Sequence, residues 1–209
     1  MPSTHDAQAE RWTQATLKSR GWTVSLIRRF LDPPDALAPN PHYRSAGAPM
    51  KLYNAERVCA LEATDTVAAA LTQARQRSLR AKDRAAHQRQ AMLDTVRSWT
   101  ISVPSFTPNR LRILAVNHYN TLWALRGRED KWATIHDDSE FLDRIAVNYL
   151  RHVCTSYEDR LVELYGMIGA TDARPLLKSR ILSAIAVQYP ELAHECRQQK
   201  NRLNDEGEE

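Results

Sequence analysis

The densest group of potentially reactive side chains lies between Asn148 and Tyr157. If this segment is helical, four of them fall at i, i+3, i+4 and i+7 and share one face: Asn148, Arg151, His152 and Thr155. Such a face combines a candidate general base, a cation and hydrogen-bond donors, as a phosphodiester-cleaving or phosphate-binding site requires. An ordinary polar face and a network that fixes helix packing are the competing interpretations.

Two His-x-Cys pairs, His152 with Cys154 and His194 with Cys196, invite a zinc interpretation. Both lie in predicted helices, where residues i and i+2 point about 200° apart and cannot chelate one ion. We therefore expect no metal site and no cofactor. The sequence also lacks a Gly-Lys-Ser/Thr phosphate loop and a His-Glu-x-x-His motif, which argues against nucleotide hydrolysis and zinc proteolysis.

Composition limits the class of protein. With 209 residues, 43% hydrophobic and 26% charged, the chain has room for one large or two small domains. The sparse Gly (6) and Pro (10) exclude collagen-like and mostly disordered classes. Three widely spaced cysteines make no disulfide framework, and neither a membrane span nor a signal peptide is recognisable. We expect a soluble cytoplasmic protein that does not associate with membranes.

Positive charge is concentrated in the first half of the chain. Residues 1–98 contain 15 Lys and Arg against 9 Asp and Glu, a balance of +6. Residues 99–209 contain 14 against 16, a balance of −2. Because clustered basic side chains release counterions from phosphates, the first half is the candidate binder of a polyanion.

Two short helices separated by a glycine turn are predicted near the N-terminus. Helical spacing from Trp12 to Leu17 indicates the first, which ends at Gly21, and Thr23 is a suitable N-cap for the second. The inward positions of the second helix are Val24, Ile27 and Leu31. Its outer positions are Ser25, Arg28 and Arg29. This arrangement is a candidate helix-turn-helix.

A small irregular hairpin is predicted over residues 38–53, with a Ser-Ala-Gly-Ala-Pro turn. Its basic residues are His42, Arg44 and Lys51. A third helix then begins with Asn54 as its N-cap and directs Val58, Leu61 and Cys59 inward.

The order of these parts, over about residues 10–64, resembles the winged helix-turn-helix of MerR-type regulators. The resemblance rests on Ile-Arg-Arg in the second helix, Tyr-Arg in the loop, a hairpin closing on Leu-Tyr, and Arg-Val in the third helix. It implies that Ser25, Arg28 and Arg29 lie in the major groove, with Arg44 and Lys51 on flanking phosphates. The alternative is a small helical cap with solvated arginines.

Residues 65–98 give the strongest helix signal, because this stretch contains no Gly or Pro. The apolar heptad spacing is weak and mostly alanine, so a coiled coil is only weakly indicated. Its middle is basic, with Arg75, Arg77, Arg80 and Arg84 as candidate nucleic-acid contacts. A dimerisation helix, as the MerR resemblance implies, and a solvated basic linker are the other interpretations.

The spacing of apolar residues also predicts helices over residues 99–209. Leu122 and Trp123 belong to a predicted core stripe over 109–126. Asp137 with Glu140 has capping-box spacing, and Val153 is expected on the buried side of the helix that follows. The predicted fold is mainly helical (all-α) with a small β-hairpin wing. We divide it into a winged-helix-like domain (1–64), a connecting helix (65–98) and a helical C-terminal domain (99–209).

Three functions are compatible with these patterns. The leading hypothesis is a protein that binds double-stranded DNA through its N-terminal domain, with the C-terminal domain mediating homo-oligomerisation or partner binding. The second is a nuclease-like enzyme that uses the face carrying Arg151 and His152. The third is a scaffold that binds an acidic protein partner through its basic helix.

Overall fold

The structure is a computed structural model that describes residues 10–40 and 48–205, with side chains as far as residue 202. The fold is 70% helical, with nine α-helices and one three-stranded antiparallel sheet in the described ranges. The predicted fold class is therefore confirmed. No helix within these ranges is both long and apolar enough to cross a membrane.

The chain divides into two compact units, residues 1–84 and 85–209. The elements of the first are β1 (Arg11–Thr13), α1 (Gln14–Ser19), α2 (Val24–Phe30), β2 (Ala36–Ala38), β3 (Met50–Asn54) and α3 (Ala55–Glu62), followed by the start of α4 (Asp65–Ser98). The strand order is β1-β3-β2, and Tyr53 of β3 pairs with Trp12 of β1. The spacing that predicts a helix at Trp12 is wrong there, because pairing with the distant β3 makes this segment a strand.

Local hydrogen bonds fix where the first three helices begin. Thr13, Thr23 and Asn54 are their N-caps, and each side chain accepts a hydrogen bond from a backbone N–H in the first turn. Gly21 turns the chain between α1 and α2 with a φ of 100°, a conformation that favours glycine. The predicted caps at Thr23 and Asn54 are therefore confirmed.

The first unit has its own core, which consists of Leu17, Trp22, Ile27, Leu31, Tyr53, Val58 and Val67. Two residues that were predicted to face the core, Val24 and Cys59, are exposed. Val24 is 44% exposed, because it opens α2 at the end of the apolar stripe, where the core no longer covers it. Cys59 is exposed because it follows Val58 and so points about 100° away from the buried face of α3.

The bounds of α4 coincide with the predicted helix, Asp65–Ser98. Val67 belongs to the core of the first unit and Val96 to that of the second. Between them, every residue from 75 to 91 is exposed. As far as Gln88, this stretch of helix is therefore maintained by its own backbone hydrogen bonds and local propensity rather than by burial. Arg89 then contacts Gly169 and Asp172 of the second unit.

The second unit is a helical assembly. Its elements are the end of α4, α5 (Pro108–Ala124), α6 (Ser139–Tyr149), a π-helical segment (Leu150–Cys154), α7 (Tyr157–Glu163), α8 (Ala170–Gln188) and α9 (Ala193–Asp205). Short 3₁₀ turns at Glu129–Lys131 and Pro190–Leu192 complete it. Fully buried residues that include Val147, Leu150, Leu182 and Ile185 form its core.

Several local predictions in this unit are wrong. Asp138, not Asp137, caps α6, because the Asp137 carboxylate accepts hydrogen bonds from Thr134 and the helix begins one residue later. Val153 is 48% exposed, since the wider π-helical turn displaces it from the face that a 3.6-residue period predicts. Leu122 is 40% exposed and so lies outside the core.

Candidate functional site

The outer face of α2 carries the residues that were predicted to contact bases. Ser25, Arg28 and Arg29 are all exposed, while Ile27 is buried behind them. The Ser25 hydroxyl lies 2.9 Å from that of the N-cap Thr23. The guanidinium of Arg29 lies over the ring of Phe30, 5.0 Å from its centroid. Within the described residues, neither Arg28 nor Arg29 forms an ion pair.

A third arginine of this unit has a structural role instead. Arg57, on α3, donates through Nη2 to the carbonyl oxygens of Leu31 at 2.7 Å and Pro33 at 3.3 Å. Its Nη1 lies 3.4 Å from Oδ1 of Asp35. These contacts fasten the end of α2 to α3, so Arg57 is not available to a ligand in the way that Arg28 is.

The hairpin contributes one described basic residue. Lys51 is exposed on β3, and its Nζ is 3.9 Å from Oδ1 of Asp32, at the limit of an ion pair. An exposed pair at this distance restrains the lysine little. His42 and Arg44, the other predicted contacts of the hairpin, lie outside the described residues.

The basic stretch of α4 divides between two sides of the helix. At 3.6 residues per turn, Arg77, Arg80 and Arg84 fall within an arc of about 60°. Arg75 lies roughly opposite them, on the same side as Lys82. Arg77 donates to Gln73 and Arg84 to the carbonyl oxygen of Arg80, both neutral acceptors, so these charges stay uncompensated. The structure therefore groups three of the four predicted arginines and separates Arg75 from them.

In the second unit, Asn148, Arg151 and His152 come together as the sequence predicts. The Arg151 guanidinium donates to Oδ1 of Asn148 at 3.2 Å, to Oε1 of Gln199 at 2.8 Å and to Nε2 of His152 at 2.7 Å. Gln199 is buried and in turn donates to Glu195 at 2.8 Å. Burial lowers the pKa of Arg151, while nearby Tyr157 and Glu158 raise it.

These contacts determine the tautomer of His152. Because a guanidinium has no acceptor, Nε2 of His152 must accept from Arg151. The proton of a neutral ring is then on Nδ1, which lies 2.5 Å from Oε1 of Glu158. Both ring nitrogens are therefore engaged. This geometry positions the arginine and leaves no free lone pair on His152 for a general base.

The Thr155 hydroxyl does not contact the side chains of Asn148, Arg151 or His152. Thr155 follows the π-helical segment in extended backbone, and its hydroxyl donates to the carbonyl oxygen of Arg151 at 2.5 Å. The fourth member of the predicted face is therefore a local hydrogen-bond donor that closes the end of the segment.

A cavity of about 490 Å³ opens beside Arg151, between α5 and the segment that carries His152. Sequence reasoning missed the contribution of α5, whose lining residues include His118, Tyr119 and Trp123, and of Arg126 just past its end. Counted from His118, these residues lie at i, i+1, i+5 and i+8, within about 140° of a helical projection. The mixture of aromatic and basic residues on that side was the available signal. Trp123 therefore lines a cavity rather than filling a core.

Across the described residues, no three His, Cys, Asp or Glu side chains converge as metal ligands would. The chain matches no family model, no curated protein and no solved structure.

Proposed function

We propose that the protein binds double-stranded DNA through its first unit, with α2 entering the major groove. One observation supports this above all. The α2 helix is anchored by buried Ile27, while Arg28 and Arg29 on its outer face are exposed and have no carboxylate partner among the described residues. An exposed guanidinium suits both guanine edges and phosphate oxygens.

Further basic groups of the same unit support phosphate contacts. Lys51 is only weakly paired with Asp32, and Arg77, Arg80 and Arg84 form one uncompensated side of α4. Contacts of this kind position a protein on the duplex without reading its sequence. A cytoplasmic location is part of the proposal, and the unpaired Cys59, Cys154 and Cys196 are compatible with it.

DNA binding is favoured over cleavage for a geometric reason. A nuclease that uses His152 as its base needs a free ring nitrogen, and both nitrogens are engaged by Arg151 and Glu158. Self-association of the chain remains a prediction, which sedimentation velocity can measure.

The test is fluorescence anisotropy with random-sequence duplex DNA, single-stranded DNA and RNA over a series of salt concentrations. We expect duplex affinity to fall steeply with salt. The double variant Arg28→Glu/Arg29→Glu should abolish duplex binding with an unchanged Tm, because both side chains are exposed.

The matched control is Arg197→Glu/Arg202→Glu, which changes the net charge equally at exposed positions of α9. It should retain most of the affinity. Unchanged binding by the α2 variant, or equal loss in both variants, would contradict the proposal. A protein partner retained after nuclease treatment, without duplex binding, would instead support the acidic-partner alternative.

A further inference from the structure

We propose that the cavity between α5 and the π-helical segment binds a small anion that carries a planar aromatic ring. The site lies wholly within the second unit, and the argument for it does not depend on DNA binding. Its volume, about 490 Å³, is within the range of small-molecule sites. Three features specify the ligand: a half-buried arginine that forms no ion pair among the described residues, a second arginine stacked on an aromatic wall, and the lack of acidic lining.

Arg151 supplies the first feature. Its guanidinium is half-buried, and its three side-chain acceptors, on Asn148, His152 and Gln199, are all neutral. Two carboxylates adjoin these acceptors without contacting the arginine: Glu158 contacts His152, and Glu195 accepts a hydrogen bond from Gln199. A guanidinium fixed by neutral acceptors keeps its full positive charge and is preorganised for a carboxylate or phosphate.

Arg126 and Trp123 supply the second feature. The Arg126 guanidinium lies over the indole ring of Trp123, 5.2 Å from its centroid, and the Tyr119 ring meets the indole edge-on at 6.0 Å. Arg126 is exposed, whereas Arg151 is half-buried. Like Arg151, Arg126 forms no ion pair among the described residues. A flat ring can pack on these aromatic side chains while its charged substituent lies between the two arginines.

The rest of the lining favours an anion. No Asp or Glu is among the described residues that border the cavity, whose apolar floor includes Ile145. Burial lowers the pKa of His118. Arg126 and Arg151 border the same space and are positively charged, so they repel the charged form of His118. A bound anion would oppose this repulsion and raise the pKa of His118.

The ring can carry either a carboxylate or a phosphate, because both accept paired hydrogen bonds from arginine. The experiment therefore has two arms, 2-naphthoate and adenosine 5′-monophosphate, each titrated calorimetrically into the full-length protein. The neutral analogues 2-naphthamide and adenosine are titrated in parallel. We expect one anionic probe to bind at least about tenfold more tightly than its neutral analogue.

Arg126→Ala should weaken that probe about tenfold or more, and exposed Arg126 can be removed without opening the core. The control is Arg128→Ala, two residues away, where the arginine pairs with Asp130 outside the cavity. In NMR spectra, binding should raise the pKa of His118. Neutral analogues that bind as tightly as the anions, equal effects of both variants, or no binding at about 5 mM probe would overturn the proposal.

Discussion

The indole Nε1 of Trp22 donates a hydrogen bond to Oε1 of Glu62 over 2.8 Å, which ties the turn between α1 and α2 to the end of α3. The same oxygen accepts a hydrogen bond from Nε of Arg20 at 3.1 Å. Trp22 is only 2% exposed, so its N–H depends on a protein acceptor. One carboxylate thereby holds the helix pair in the orientation that exposes Arg28 and Arg29.

Glu62→Ala should lower the free energy of unfolding by about 1–3 kcal/mol, because it leaves the Trp22 N–H without its acceptor. Glu62→Gln keeps an oxygen at that position and should cost less. Urea denaturation of the two variants measures the difference. Equal stability of Glu62→Ala and the wild type would show that the contact contributes nothing.

The same carboxylate predicts a dependence on pH. The hydrogen bond from Arg20 and that from Trp22 hold the pKa of Glu62 below its ordinary value. A carboxyl group with a lowered folded-state pKa stabilises the protein above its unfolded value of about 4.3, and this contribution is lost as pH falls through the folded-state pKa. Between those limits, the stability of Glu62→Gln should therefore fall less steeply with acid than that of the wild type.

The division of the α4 arginines between two sides predicts unequal effects on DNA binding. If Arg77, Arg80 and Arg84 contact phosphates, their replacement by Ala should reduce the slope of log affinity against log salt by up to about 3. The control is Arg75→Ala/Lys82→Ala, on the other side of the helix, which should leave the slope nearly unchanged. If both variants changed the slope by the same amount per charge removed, DNA would not distinguish the two sides of α4.

Gly169, before α8, has a φ of 89°, and a Cβ placed on it would lie 3.0 Å from the Cα of Arg89. Gly127 has a φ of 66°, but a Cβ there would meet nothing within 4 Å among the described residues. Gly127→Ala should therefore lower the free energy of unfolding by about 1–2 kcal/mol, because of its backbone conformation alone. Gly169→Ala should cost about 1–3 kcal/mol more, because α4 must shift.

Thermal unfolding of both glycine variants measures how much the close approach of Gly169 to Arg89 adds to the destabilisation. A cost at Gly169 no greater than that at Gly127 would mean that the helices separate easily. The bidentate Arg89–Asp172 ion pair, through Nη2 to Oδ1 and Nε to Oδ2, also ties this part of α4 to the start of α8, and it is unchanged in both variants.

Features with local causes were predictable from the sequence. The N-caps Thr23 and Asn54 follow from side chains that reach their own first turn, and the helical state of α4 follows from its strong helix formers and its lack of Gly and Pro. Features that depend on distant partners were not. Pairing with β3 makes Trp12 part of a strand, and the π-helical segment turns Val153 outward.

The candidate sites divide in the same way. Sequence periodicity alone determined that Arg28 and Arg29 share the outer face of α2 and that Arg151 lies beside Asn148, because these relations lie within one or two helical turns. Only the tertiary structure decided that Gln199, 48 positions away, holds Arg151, and that His118 and Arg126 of the α5 region face the same cavity. Helix packing sets those contacts, and no local pattern encodes which helix faces meet.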